Sequence, residues 1–296
     1  MDTFEGKAAV ITGGASGMGR AMADRFGAAG ARLMIADVEG PALDAAVAEL
    51  SDAGVDAVGV LTDVSSEGDM DDLAEQALSR FGQVNVVCNN AGVGSGAPME
   101  TLTTADWKWI LDVNLWGVIH GIRVFLPHLL EHGDGHIVNT GSVAGHTSYP
   151  NIGPYNASKH AVVSISETLY NELQERGSSV GVSVLCPGLV STNIINSERN
   201  RPESLRSPII PPDPTPEDEE RRQFMLGLYE QAVKPPEVAE LVYRAVLDNQ
   251  FYIWTDYVYA EAIQQRHEDI RLGRNPSRRS QLVEEDQSVK APPSSG

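Results

Sequence analysis

The chain is poor in cysteine, in basic residues and in long apolar runs, and each shortage removes a class of function. Its 296 residues include two cysteines, Cys88 in VNVVCNNAG and Cys186 in VSVLCPG. Both lie near the ends of apolar strand-like runs, where small buried thiols are common. A disulfide framework is therefore not expected, and a reducing compartment fits. Lys and Arg total 22 against 41 Asp and Glu, a formal net charge of −19, which repels phosphate backbones and anionic lipid. Neither nucleic acid nor a membrane is an expected partner. No apolar run approaches the roughly 18 residues of a membrane span. The N-terminal MDTFEGKAAVITGG enters a strand-like run without the basic and apolar regions of a signal peptide, so a cytoplasmic protein is expected. Seven histidines, at 120, 128, 132, 136, 146, 160 and 267, are scattered without metal-ligand spacing, and no metal is expected. His146, close after Ser142, reads as a solvated loop histidine.

What is present alternates. Short, nearly all-apolar runs at 7–12, 32–37, 56–63, 84–89, 136–142, 180–187 and 251–255 have the pattern of strands buried on both faces. Helical periodicity follows Gly17 and recurs over 41–53, 69–81, 105–130, 154–176, 237–249 and 258–272. Seven strands separated by helix-length crossovers predict an α/β fold, a doubly wound parallel sheet with helices on both faces. Residues 1–274 read as one domain. Within it, 191–234 reads as an insertion over the substrate, and its portion 198–222, ERNRPESLRSPIIPPDPTPEDEERR, is too rich in proline and charge for a strand or a regular helix. The tail 275–296 has little to bury and reads as disordered.

The motifs that carry chemistry cluster at the predicted C-terminal ends of the strands. VITGGASGMGR follows the first strand and opens the first helix; Gly13, Gly17 and Gly19 allow a tight turn and close backbone approach, and the helix N-terminus favours a diphosphate. Asp37 ends the second strand about 20 residues further on, where a carboxylate accepts from an adenosine ribose. Asp63 ends the third strand and NNAG, residues 89–92, the fourth. Each of these alone can be a turn residue or a loop cap; together they line one edge of one sheet.

Ser142 reaches the same edge at the end of the fifth strand, and Tyr155 and Lys159 stand four residues apart, neighbours on one helix face. A tyrosine has a reference pKa of about 10, so bringing it to about 7 requires roughly 4 kcal/mol of phenolate stabilisation. Lys159 is expected to supply much of that as positive charge. Ser142 then holds a substrate oxygen while Tyr155 exchanges its proton.

With TGGASGMG, Asp63, NNAG, Asn114 in VNLWG, Ser142, YNASK and PGLVST in this order, the chain resembles the short-chain dehydrogenase/reductase family over about 7–255. The resemblance implies a Rossmann-type fold and makes Asn114 a fourth catalytic residue, holding a water that relays protons to Lys159. It implies cofactor contacts from Ser16 and Met18 in the glycine turn, from Val64 beside Asp63, and from Asn90, Ala91 and Gly92. By the same resemblance Pro187, Gly188, Val190 and Thr192 would border the nicotinamide, and Tyr155 and Lys159 would also bind its ribose. The long insertion and the C-terminal extension depart from the family pattern.

The expected function is hydride transfer between NAD and a secondary alcohol or ketone of medium size and largely apolar character. The alternatives are an NADPH-dependent carbonyl reductase and a dinucleotide-binding module without turnover. NAD is preferred because Asp37 is followed by Val38 and Glu39 and not by a basic residue. The nearby cation in sequence is Arg20. Family resemblance implies a homo-oligomer, a tetramer or a dimer, and the apolar FYIWT run offers an edge strand to cover.

Overall fold

A computed structural model describes residues 1–206 and 216–276. Its seven strands are β1 (Ala8–Thr12), β2 (Arg32–Asp37), β3 (Ala57–Leu61), β4 (Val86–Asn89), β5 (His136–Thr140), β6 (Gly181–Cys186) and β7 (Tyr252–Trp254). They form one parallel sheet in the order β3-β2-β1-β4-β5-β6-β7. The chain runs outward from β1 to β3, then returns to start again at β4. Between β1 and β4 the crossovers leave in opposite directions, and a crevice opens outside the strand ends.

Side chains alternate across this sheet, and each face has its own helices. Ala9 and Ile11 of β1 join Leu33 and Ile35 of β2 in a core with Met22 and Phe26 of α1 (Gly17–Ala28) and with Val242 and Val246 of α8 (Pro235–Asp248). Ala8 and Val10 turn the other way, toward Leu73 of α3 (Glu67–Phe81), Phe125 of α5 (Gly117–His132) and Leu169 of α6 (Gly153–Glu175). Two apolar layers on one sheet explain why the strand runs carry almost no polar alternation. The remaining helices are α2 (Gly40–Asp52), α4 (Thr104–Leu111), α7 (Pro216–Gln231) and α9 (Ala260–Leu272).

Three expectations need correction. The single helix expected over 105–130 is broken: α4 and α5 are joined by a π-helical turn, Asp112–Trp116, which widens the backbone around Asn114. Such turns insert one extra residue into a helix without ending it. As a continuous stretch, Thr104–His132 has a mean hydropathy of 1.3 and is long and apolar enough to cross a membrane by length and composition, although 44 % of its apolar window is buried inside the protein. A search for uninterrupted apolar residues overlooks such a stretch, because a mean tolerates scattered polar groups. Finally, 198–222 does contain helix: short 3-10 turns occupy Asn193–Asn200 and Glu203–Leu205, and α7 starts at Pro216. Proline is compatible with a helix start, where its missing N–H has no intrahelical partner to lose. Of the expected tail, 277–296 lies outside the described residues, and α9 ends at Gly273 with φ 64°.

Candidate active site

The floor of the crevice is built mainly from backbone. Gly13 and Gly17 adopt φ of 64° and 55°, the left-handed region that glycine enters without a Cβ penalty. A Cβ on Gly13 would stand 2.9 Å from the Ala91 Cα, so the turn after β1 and the NNAG segment after β4 are pressed together. Asp37 is buried and braces this turn: its Oδ2 accepts from the Ala15 N–H at 3.0 Å and its Oδ1 from the Glu39 N–H at 3.1 Å. Asn90 ties the two central strands, donating from Nδ2 to the Thr12 carbonyl at 3.0 Å while its own N–H donates to Thr12 Oγ1 at 3.0 Å. Asp63, just beyond the end of β3, accepts from the N–H and the hydroxyl of Ser65 at 2.9 and 2.7 Å.

Ser142, Tyr155 and Lys159 come together as expected. Ser142 lies just beyond β5; its Oγ accepts from the Ala144 N–H at 3.1 Å and donates to the Pro187 carbonyl at 3.4 Å. Tyr155 and Lys159 occupy the first turns of α6, and Lys159 Nζ is 5.6 Å from the Tyr155 ring centroid. That ammonium is buried and donates to the Thr140 carbonyl at 2.8 Å. Electrostatics depart from expectation. Burial pushes the Tyr155 phenol up to about 12, opposed by a hydrogen bond with Ser142, and burial pushes Lys159 down to about 8. In the protein alone, desolvation of the phenol outweighs the Ser142 hydrogen bond.

Asn114 stands in the π turn, buried, with Oδ1 accepting from the Val93 N–H at 2.8 Å and Nδ2 donating to the Val93 carbonyl at 2.9 Å. Its amide thus grips the loop after β4. Across Gly92 it approaches the lysine: a Cβ on Gly92 would be 3.4 Å from Asn114 Oδ1 and 3.8 Å from Lys159 Nζ.

The crevice encloses about 180 Å³, lined by Gly13, Ser16, Gly17, Met18, Asp37, Asp63, Val64, Asn90, Ala91, Gly92, Tyr155, Lys159, Pro187 and Thr192. The other five expected residues stand behind that lining. Gly19 packs on the Gly13 carbonyl, 2.1 Å from where its Cβ would be, and Val190 is a core residue. Asn114 and Ser142 lie in the buried layer just described. Gly188 is covered by the C-terminal extension, for a Cβ there would lie 2.3 Å from Tyr259 and 2.7 Å from Asp256. His146 is neither solvated nor in the crevice. It is buried, with Nε2 3.4 Å from Cys186 Sγ and its ring 5.0 Å from that of Trp254. Burial lowers its pKa to about 4.

Sequence reading placed 191–234 over the substrate but did not single out the residues of 197–205 that cover the crevice. The 3-10 segment after Thr192 bends back over the opening, and Ser197, Arg199, Asn200, Pro202 and Leu205 join the lining. Arg199 pairs with Glu39 beside β2. Arg201, buried, pairs at 2.6 Å with Asp106 of α4 and lies over the Trp109 ring. The root of the insertion is closed by a bridge between Val190 and Val233, with the Ser191 N–H donating to the Val233 carbonyl at 2.9 Å. Of the apolar residues that flank the proline-rich stretch of the insertion, Ile194 lines the crevice and Leu228 and Tyr229 are half-buried, whereas Phe224 is exposed. The Met225 side chain lies outside the described residues.

This arrangement can hold a dinucleotide. The left-handed glycines allow backbone approach at a helix N-terminus, Asp37 has lone pairs to spare for ribose hydroxyls, and the Ser142–Tyr155–Lys159 group waits at the far end.

Comparison with known proteins agrees. A family model described as short chain dehydrogenase matches residues 7–203. A short-chain dehydrogenase/reductase from Burkholderia phymatum, solved in complex with NAD, is 45 % identical, with a TM-score of 0.88 over 94 % of this chain and 98 % of that one. The C alpha-dehydrogenase of a Sphingobium species is 36 % identical, covering 86 % of this chain and 81 % of that protein. The 1-deoxy-11-beta-hydroxypentalenate dehydrogenase of Streptomyces avermitilis is 34 % identical, covering 84 % of this chain and 84 % of that protein.

Proposed function

This chain belongs to the short-chain dehydrogenase/reductase family, and from that premise we propose that it is an NAD-dependent oxidoreductase acting on a medium-sized, largely apolar secondary alcohol or ketone. The observation that carries the reading is the convergence of Ser142, Tyr155 and Lys159 at one end of a crevice whose other end carries the glycine turn and Asp37. Binding alone needs no half-buried phenol beside a buried lysine, which speaks against a module without turnover.

When bound, the dinucleotide supplies the hydride acceptor or donor. Ser142 donates a hydrogen bond to the substrate oxygen, and Tyr155 exchanges a proton with it at Oη. The burial-raised pKa of about 12 keeps Tyr155 protonated, the form that donates to a carbonyl. Oxidation of an alcohol needs the phenolate, which Lys159 stabilises while it carries charge, below its pKa of about 8. Asn114 holds the Val93 loop and faces Lys159 across Gly92, where a water between them would pass protons outward. Residues 1–274 form the catalytic domain, and 191–234 closes over the substrate with Ile194, Leu228 and Tyr229 as its apolar lining. The Tyr229 hydroxyl leaves room for a polar group on an otherwise largely apolar substrate.

A cytoplasmic homo-oligomer, a tetramer or a dimer, completes the reading. Its support is β7, an edge strand on which Tyr252 is exposed. Light scattering that gives a 31.8 kDa particle at micromolar concentration would remove the oligomer.

The function is tested by assaying aliphatic, aromatic, terpenoid and steroidal secondary alcohols with NAD and with NADP, following reduced-cofactor absorbance. The expected result is turnover with NAD on apolar alcohols. Faster turnover with NADP would favour the carbonyl reductase, and NAD binding without turnover on any alcohol or ketone would favour the binding module.

A further inference from the structure

Arg20, the cation nearest the glycine turn in sequence, is committed elsewhere, to Asp24 at 2.9 Å and Glu49 at 2.8 Å. The arginine that reaches the Asp37 end of the crevice comes from the cover. Arg199 meets Glu39 as a fork: Nε lies 3.1 and 3.2 Å from the two carboxylate oxygens, and Nη2 lies 2.5 Å from Oε1. Nη1 donates to the carbonyls of Asn193 and Asn196, and Asn200 Nδ2 adds a bond to Glu39 Oε1 at 2.9 Å. Each guanidinium nitrogen therefore has a partner. Glu39 is two residues past Asp37 and is joined to it through its own N–H. Asp37, Glu39 and Arg199 line the same crevice.

A fork of this kind also fits a phosphate. NADP differs from NAD by one phosphate on the adenosine ribose, the sugar assigned above to Asp37. About a third of each partner remains exposed, 34 % of Arg199 and 30 % of Glu39, so the pair contributes little to folding stability. Its consequence lies with the ligand. We infer that Glu39 is a cofactor-specificity residue: it occupies the Arg199 fork and so withholds from a ribose 2′-phosphate the guanidinium that would attract it. Asp37 repels the extra phosphate, and Glu39 removes the compensation. The inference rests on the NAD reading above.

The test uses binding, not turnover. Adenosine 5′-monophosphate and adenosine 2′,5′-bisphosphate are titrated by calorimetry into the full-length protein and into Glu39→Gln, Glu39→Ala and Glu39→Gln/Arg199→Met. Wild type is expected to favour the monophosphate. Both Glu39 variants are expected to bind the bisphosphate at least tenfold more tightly than wild type does. That gain should shrink between 50 and 500 mM NaCl and vanish in the double variant. Melting curves establish that each protein is folded at the assay temperature. A gain below twofold in either folded Glu39 variant, or a gain that survives Arg199→Met, overturns the role of Glu39 while leaving NAD preference standing. Wild type that binds the bisphosphate as tightly as the monophosphate overturns both.

Discussion

The floor and the cover of the crevice are held by different forces. On the floor, Asn90, Asn114 and Lys159 all bond to main-chain groups, of Thr12, Val93 and Thr140. These contacts are buried and form with the sheet itself. Over the opening, the segment after Thr192 is fastened by long side chains, Arg199 to Glu39 on one wall and Arg201 to Asp106 on the other. The floor cannot rearrange without disturbing a core, whereas the cover can release one ion pair at a time. On the proposed function, reaction chemistry belongs to the floor and selectivity to the cover, and the two are separable.

The sharpest way to test that separation is at Tyr155. Tyr155→Phe removes the exchangeable proton and keeps the ring, so kcat is expected to fall by about 10²–10⁴-fold, with NAD affinity changed little. Steady-state kinetics and a fluorescence titration with NAD measure the two. Retention of a tenth of wild-type turnover would sink the acid/base assignment.

The cover is probed at Asp106. Arg201 is 5 % exposed and Asp106 16 %, so Asp106→Asn leaves a nearly buried guanidinium to the longer, exposed ion pair with Glu198 at 3.5 Å. Removing one member of a buried pair costs about 3 kcal/mol or more. Hydrogen exchange of 193–206 should therefore accelerate by about 10²-fold, while amides of β4 and β5 keep their protection. The double variant Asp106→Asn/Arg201→Met should exchange more slowly than the single one. Equal acceleration in β4 would mean that floor and cover unfold together.

Acid should act on the core behind the floor. His146, buried against Cys186 and Trp254, has a pKa near 4, below the roughly 6.5 of an unfolded histidine. Between these values the unfolded chain binds the proton and the folded chain does not. The stability contribution of neutral His146 is whole above about pH 6.5 and is lost as pH falls toward 4, by up to about 1.4 kcal/mol per pH unit. From urea unfolding, the stability lost between pH 7 and pH 5 should be about 2 kcal/mol smaller in His146→Gln than in wild type. An unchanged loss would mean that His146 takes up its proton equally in both states.

The same division marks what was legible in the sequence. The strand runs, the glycine turn and the Ser142, Tyr155 and Lys159 spacing were readable because burial on both faces and positions at strand ends leave local patterns. Arg199 and Glu39 are 160 residues apart, and Arg201 and Asp106 are 95 apart; neither pair has a periodicity to announce it. Charge-rich 198–206 reads as solvated until its partners are known. His146 misleads for a related reason: a polar residue after a strand resembles a loop residue, and only β7, a hundred positions later, covers it. The π turn at Asn114 leaves no local mark, since the apolar pattern runs through it.

The smallest expected effect separates two residues of the cover itself. Phe224 and Tyr229 both belong to α7, but Phe224 is 52 % exposed whereas Tyr229 is half-buried and near enough to Tyr155 for charge on one phenol to oppose ionisation of the other. If the insertion encloses the substrate in this arrangement, Phe224→Ala removes little, changing kcat/KM by less than about twofold, or roughly 0.4 kcal/mol. Tyr229→Ala removes part of an apolar wall beside the reacting oxygen, and kcat/KM for the best alcohol should fall by about tenfold, near 1.4 kcal/mol. Hydrogen exchange over 216–234 with NAD and a substrate analogue adds an independent reading, because enclosure must slow it. Should Phe224→Ala prove the more damaging variant, α7 must turn further over the crevice during turnover, and the cover described here is not its closed form. Should neither variant alter kcat/KM and exchange stay unchanged, the insertion does not contact substrate, and specificity must arise from the floor and from the C-terminal extension over Gly188.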